Sequence, residues 1–160
     1  MKKHIISFSF ILSILCSVSV NAQQRPSIGC VDKEVRLQSE QIKRQFKEQG
    51  LTVYKDAMVQ MEPRQPFSIA VQLTQGQLYQ LLFVGSKKAS KITMELFDGK
   101  DNLIDKKTLT EPEKNNFIIY SFAPLKSDIY LIVLTQKIKG KKVCSSFSIL
   151  QNNATAMGEE

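Results

Sequence analysis

Four lysines, Lys137, Lys139, Lys141 and Lys142, surround Gly140 between two apolar runs, the densest charge feature of the sequence. A basic hairpin tip of this kind would hold anionic envelope glycans, lipid headgroups or an acidic partner by charge. The same residues also suit a solvated turn whose lysines keep edge strands from pairing with other chains, and that is the simpler reading. Lys87, Lys88 and Lys91 occupy another turn, and sequence alone does not say whether the two turns meet. A second constellation, Asp98, Asp101, Asn102 and Asp105, gathers around Gly99. Hard oxygen ligands at short spacing are what Ca²⁺ requires. The spacing is not that of an EF-hand loop, however, and Asp-Gly and Asp-Asn are ordinary turn formers. No cofactor is required, and Ca²⁺ is the one the sequence would admit.

The residues also exclude chemistry. The single histidine is His4, inside an N-terminal stretch that reads as a cleaved leader. Without it the remaining chain has no Ser-His or Cys-His nucleophile and no His-ligated metal. A catalytic site would have to use a pair such as Glu95 with Asp98, or a perturbed lysine. No long loop sets such groups beside a cleft, so no enzyme is expected. The chain has no tryptophan, and Tyr54, Tyr79, Tyr120 and Tyr130 are expected in the core with hydroxyls at its rim, so a flat sugar-binding platform is not expected. Met58, Met61 and Met94 read as core filler. The charge is modest and no nucleic-acid-reading motif is present, so nucleic acid is not an expected partner.

The leader consists of Lys2 and Lys3, an apolar run over Ile5–Val20, and Val20-Asn21-Ala22 as a small-residue cleavage site. Its 16 apolar residues fall short of the roughly 20 that span a bilayer as a helix. Residues 1–22 are therefore expected to be a Sec-type signal peptide and residues 23–160 a single exported domain, periplasmic or secreted, with no transmembrane segment. Loss of Lys2 and Lys3 takes the net charge from +7 to +5. Leu15 before Cys16 does not suit lipid attachment, which needs a small residue there. Cys30 and Cys144 then remain, in a compartment where disulfides persist, and are expected to pair.

The elements that must position these residues follow from periodicity. From Asp32 to Gln49 there is no Gly or Pro, and Val31, Val35, Ile42 and Phe46 fall within about 60° of one another at 100° per residue. This predicts a surface helix over residues 32–49, capped by Asp32 and stopped at Gly50, with Asp32–Arg36 and Glu40–Arg44 as i,i+4 pairs. The period then changes to two. Phe67, Ile69, Val71 and Leu73 alternate with Ser68, Ala70 and Gln72, and the same grammar recurs over 78–84, 92–97, 103–108, 117–122, 129–136 and 143–150, with 52–61 as a first strand. Short turns separate them, and residues 151–160 read as a frayed tail. Seven or eight short strands after one helix imply a mainly β fold, a jelly-roll-like or Greek-key antiparallel β-sandwich over residues 52–150.

Phe67-Ser-Ile-Ala-Val-Gln-Leu73, Gln75-Gly76-Gln77-Leu78-Tyr79, Ile92-Thr93-Met94-Glu95-Leu96-Phe97-Asp98 and Asp128-Ile129-Tyr130-Leu131-Ile132-Val133 together resemble the bacterial pre-peptidase C-terminal type of exported β-sandwich. The resemblance spans Phe67 to Val133, about half of the mature chain, and implies a fold, export and a binding or stabilising role. It carries no catalytic residues over. The expected function is that of an exported, non-catalytic binding module for a protein or an anionic envelope component. The alternative is an accessory subunit packed on a larger secreted assembly.

Overall fold

The computed structural model describes residues 29–112 and 115–152. The expected leader, residues 1–22, lies outside the described residues, as do residues 23–28, 113–114 and 153–160. Helix α1 is Lys33–Glu48. The Oδ1 of Asp32 accepts the Val35 N–H at 3.1 Å and caps its start. Gly50, at φ +87°, ends it in the left-handed region that side chains avoid. Two expectations are corrected. Val31 stands ahead of the cap, 91% exposed, and does not belong to the buried stripe. Glu40 pairs with Lys43 at 2.7 Å rather than with Arg44, and the Asp32 carboxylate serves as the cap rather than as a partner for Arg36.

Eight strands follow: β1 Leu51–Met61, β2 Phe67–Leu73, β3 Tyr79–Val84, β4 Lys91–Phe97, β5 Leu103–Thr110, β6 Phe117–Phe122, β7 Asp128–Lys137 and β8 Val143–Asn152. They form two four-stranded antiparallel sheets, β1-β8-β3-β6 and β2-β7-β4-β5. The pairing is nested, with β1 beside β8, β2 beside β7, β3 beside β6 and β4 beside β5. A long hairpin rolled up on itself gives this order, so the sandwich is a jelly roll. The last strand reaches Asn152, so Gln151 and Asn152, expected in a frayed tail, instead pair with Thr52 and Leu51.

The main core lies between the sheets and is built by alternation. Phe67, Val71 and Leu73 of β2 meet Leu81 and Phe83 of β3, Ile132 and Leu134 of β7, and Phe147 and Ile149 of β8. A second, smaller core lies on the outer face of the first sheet, where Val35 and Ile42 of α1, with Phe46 packed against them, cover Leu82, Val84 and Leu150. That cover explains the unbroken run Leu81-Leu82-Phe83-Val84, since β3 is buried on both faces. Polar groups are paired across the same interface: the Ser39 and Ser146 hydroxyls at 2.7 Å, and Lys43 Nζ to Asp56 Oδ2 at 2.7 Å. Cys30 and Cys144 form a disulfide that ties the start of α1 to β8. Among the described residues no helix is long and apolar enough to cross a membrane.

Candidate functional site

The jelly-roll path brings the turns β1–β2, β3–β4 and β7–β8, together with the β5–β6 connection, to one end of the sandwich. Backbone hydrogen bonds fix their contacts. The Ser90 N–H donates to Lys137 O at 2.8 Å, and Ser90 Oγ donates to the same oxygen at 3.1 Å. Gly85 N–H donates to Asn116 O at 2.8 Å, and Asn116 Nδ2 returns a bond to Gly85 O at 2.7 Å. The Arg64 N–H reaches Gln136 O at 2.9 Å.

Gln136 is the pin of this end. Its side chain is fully buried, its Oε1 accepts the Ser86 N–H at 2.8 Å, and its Nε2 donates to Met61 Sδ at 3.3 Å and to Ser145 Oγ. Gly85 is required beside it, because a Cβ there would stand 2.9 Å from both Gln136 Oε1 and Ile92 Cγ2. The chain therefore holds the β3–β4 turn against the end of β7 by a buried amide in addition to the exposed Ser90–Lys137 bonds.

The consequence is electrostatic. Lys87, Lys88 and Lys91 of one turn and Lys137, Lys139, Lys141 and Lys142 of the other share one end of the molecule with Arg64. All are exposed. Lys142 pairs with Glu62 at 2.5 Å, whereas the others have no carboxylate partner among the described residues. Such a cluster focuses positive potential and draws in anions, with a reach of about 8 Å at physiological ionic strength. Two recesses open here. One, of about 680 Å³, lies between the start of α1, the disulfide and Lys87, Lys88 and Lys142, and Asp32 and Glu34 give it mixed charge. The other, of about 330 Å³, lies on the outer face of the second sheet.

The acidic constellation is not brought together as a metal centre. Asp98 Oδ1 accepts the N–H groups of Lys100 and Asn102 at 2.8 and 2.9 Å, and its Oδ2 accepts Asn102 Nδ2 at 2.9 Å. These bonds, led by the Asn102 side chain, hold the Asp98 carboxyl below the usual range. Asp101 sits at φ +62° within the turn. Asp105 belongs to β5, pairs with Lys107 at 2.9 Å and lies toward Tyr120. The Lys107 bond keeps its carboxyl low, while burial, with Asp105 second, pushes the Tyr120 hydroxyl up. Among the described residues no group of three or more His, Cys, Asp or Glu is placed to hold a metal ion. Glu95 is likewise engaged, by Lys106 at 2.7 Å.

Tyr79 and Tyr130 are buried with their hydroxyls hydrogen-bonded at the rim, to Thr74 N–H and Lys126 O respectively. Tyr54 and Tyr120 are more open: Tyr54 tilts against Tyr79 at 50°, and Tyr120 lies nearly parallel to Phe122, at 22°, with Lys107 over its ring.

The opposite end, formed by the turns β2–β3, β4–β5 and β6–β7, has another character. Gly76 N–H donates to Pro124 O at 2.9 Å and Gln75 N–H to Ser127 Oγ at 2.9 Å, which joins two of these loops. Leu78, Leu103, Ile104, Leu125 and Ile129 are exposed there, Leu125 at 90%. One end thus carries the lysine turns, while the other exposes apolar side chains among the charged groups Asp98, Lys100, Asp101, Lys126 and Asp128.

No family model matches the sequence, and no curated protein matches it. Among solved structures it is similar to Aeromonas hydrophila PliG, a periplasmic lysozyme inhibitor of g-type lysozyme, at 14% identity and a TM-score of 0.46 over 61% of this chain and 85% of that one. A CBM4 structure is similar at 13% identity and a TM-score of 0.36, over 64% of this chain and 77% of that one. Accessory secretory protein 1, 2 and 3 of Streptococcus pneumoniae is similar at 20% identity and a TM-score of 0.34, over 64% and 85%. At such identities and TM-scores these likenesses carry no argument about what the chain binds.

Proposed function

We propose that the protein is an exported, non-catalytic binding module that recognises an anionic component of the bacterial envelope, a glycan or lipid headgroup or an acidic protein, through its basic loop end. The observation that carries the reading is the convergence of two separate lysine turns, locked together by Ser90 on Lys137 and by the buried Gln136. One lysine turn is an ordinary solvated feature, but two held side by side make a surface with a sign. Export is supported by the leader-like N-terminus and by the disulfide, which suits an oxidising compartment. The bacterial pre-peptidase C-terminal resemblance agrees with a binding role and is part of this proposal. Capture from envelope extract should be strong at low salt, and should fall at high salt and when Lys137, Lys139, Lys141 and Lys142 are changed together to Ser. Capture that survives both changes would refute the reading.

The second reading, an accessory subunit on a larger secreted assembly, is favoured by the exposed Leu78, Leu103, Ile104, Leu125 and Ile129 at the other end. It predicts a salt-insensitive partner whose binding is lost on Leu125→Asp with Ile129→Asp.

A further inference from the structure

The groove of about 330 Å³ on the outer face of the second sheet combines three features that suit an anion. First, Lys91 and Lys137 are direct cross-strand partners in the β4–β7 ladder. Like charges placed opposite one another destabilise a sheet, and neither lysine has a carboxylate partner among the described residues. Second, Arg64 overhangs the same groove from the β1–β2 turn at φ +63°, a left-handed conformation rare for a long side chain. It is the third residue of a β-turn closed by the Gln65 N–H on Glu62 O at 3.3 Å, with Pro63 second, and its own N–H is tied to Gln136 O, so the turn fixes where the side chain starts. Third, Thr93 and Thr135 are opposed to one another one rung along, on the face that Lys91 and Lys137 share. Thr93 is only 7% exposed, so this rung forms the floor of the groove. The one carboxylate in the lining, Glu95, is already neutralised by Lys106 at 2.7 Å.

We infer that this groove binds a phosphate monoester, with Lys91, Lys137 and Arg64 surrounding the anion over the Thr93 and Thr135 hydroxyls. The inference rests on the reading of the basic end as the recognition surface, and it assigns that surface its ligand chemistry. A phosphate monoester carries about 1.5 to 2 negative charges at neutral pH and offers three acceptor oxygens. A guanidinium fork can take two of those oxygens, and the ammonium groups act as point charges. Binding also relieves the Lys91–Lys137 repulsion, so the anion-free sheet is the less stable one. A groove of this volume has room for more than the phosphoryl group, which suits a phosphorylated saccharide or the phosphate of a lipid headgroup.

The test is an NMR titration of the disulfide-bonded protein with inorganic phosphate, glucose 6-phosphate, and vesicles of phosphatidylcholine with or without phosphatidic acid. Expected are saturable shifts at Arg64, Lys91, Thr93, Thr135 and Lys137. A response to glucose 6-phosphate above inorganic phosphate points to a saccharide, and retention on phosphatidic acid vesicles alone points to a lipid; either supports the site. Arg64→Gln and Lys91→Gln should each weaken binding about tenfold or more, while Lys139→Gln with Lys141→Gln changes it less than about twofold. Without ligand, Lys91→Gln should melt about 1–3 °C above wild type, because the opposed like charges are gone. No saturable response to any probe overturns the inference, as does equal loss in the tip variant. Envelope capture that persists in Arg64→Gln and Lys91→Gln overturns the groove while leaving the basic end standing. A phosphate response without any envelope capture does the reverse.

Discussion

Asp56→Ala is expected to destabilise the protein more than Lys43→Met, although both changes break the same ion pair. The Lys43 side chain is 5% exposed, and its ammonium bonds Asp56 Oδ2 and Glu40 Oε1, each at 2.7 Å. The Asp56 side chain is 42% exposed and also accepts a hydrogen bond from Ser148 Oγ at 2.6 Å. Removing Lys43 leaves a carboxylate that still has Ser148 and water, and methionine refills the channel of the aliphatic stem. The cost should be about 1–2 kcal/mol. Removing Asp56 leaves an ammonium under α1 with Glu40 alone, and a Ser148 hydroxyl without its acceptor. That should cost about 2–4 kcal/mol, because the charge left with one partner fewer is the one that cannot reach water. Burial works to lower the Lys43 pKa, but the bonds and charges of Asp56 and Glu40 outweigh it and raise it. In Asp56→Ala burial gains the upper hand, so the difference between the variants should shrink as pH rises toward 10. Urea denaturation followed by far-ultraviolet circular dichroism measures both at pH 7. Equal stabilities, or a weaker Lys43→Met, would show that the buried ammonium is not where the cost lies.

Three further outcomes follow from the same geometry. The Cys30–Cys144 bridge closes a separation of 114 residues, so Cys30→Ser with Cys144→Ser should lose about 2–4 kcal/mol and roughly 10 °C in Tm while keeping its β-sheet dichroism; a change within about 2 °C would contradict this. Stability should be flat between about pH 5 and 9, because no histidine occurs after His4. The Asp98, Asp105 and Asp128 carboxyls are held low, by Asn102, Lys107 and Lys126 first in each case, so what they contribute is present above their ordinary range near pH 4 and is lost as pH falls through their folded values. The raised Lys43 contributes below about pH 10 and its share is lost as pH rises through its folded value, so a melting-temperature inflection near pH 6–7 would refute the account. Finally, Gln136→Leu should cost about 2–3 kcal/mol by stranding Ser86 N–H and Ser145 Oγ, and should increase hydrogen exchange at Ser86 and Ser90 before it affects β2; unchanged exchange there would mean that the amide does not pin the turn.

The strands were legible because alternation sets the buried face directly, as in Phe67, Val71 and Leu73, and the helix because Asp32 and Gly50 mark its ends. The disulfide was legible from cysteine count and compartment. Val31 was misplaced because angular position counts it with the stripe while the cap at Asp32 excludes it. The burial of Ser39 and Lys43 had no sequence signal, since it depends on Ser146 and Asp56, which only the nested strand order brings beneath the helix. The two lysine turns are about 50 residues apart, and their meeting is likewise a property of topology. Short spacing misled at Asp98 and Asp105, because entry of the chain into β5 carries Asp105 away from the turn, toward Tyr120. Arg64 had one sequence signal, its place between two prolines, and that signal does not by itself say which way the turn faces.

The most direct measurement is a hydrogen-exchange footprint of the protein alone and after saturation with the anionic envelope fraction it captures. The account predicts new protection over residues 85–91 and 137–142 and at Arg64, with none at Leu78, Leu103, Leu125 and Ile129. Protection confined to those four residues and their turns, with the lysine turns exchanging freely, would contradict it and favour the accessory-subunit reading instead.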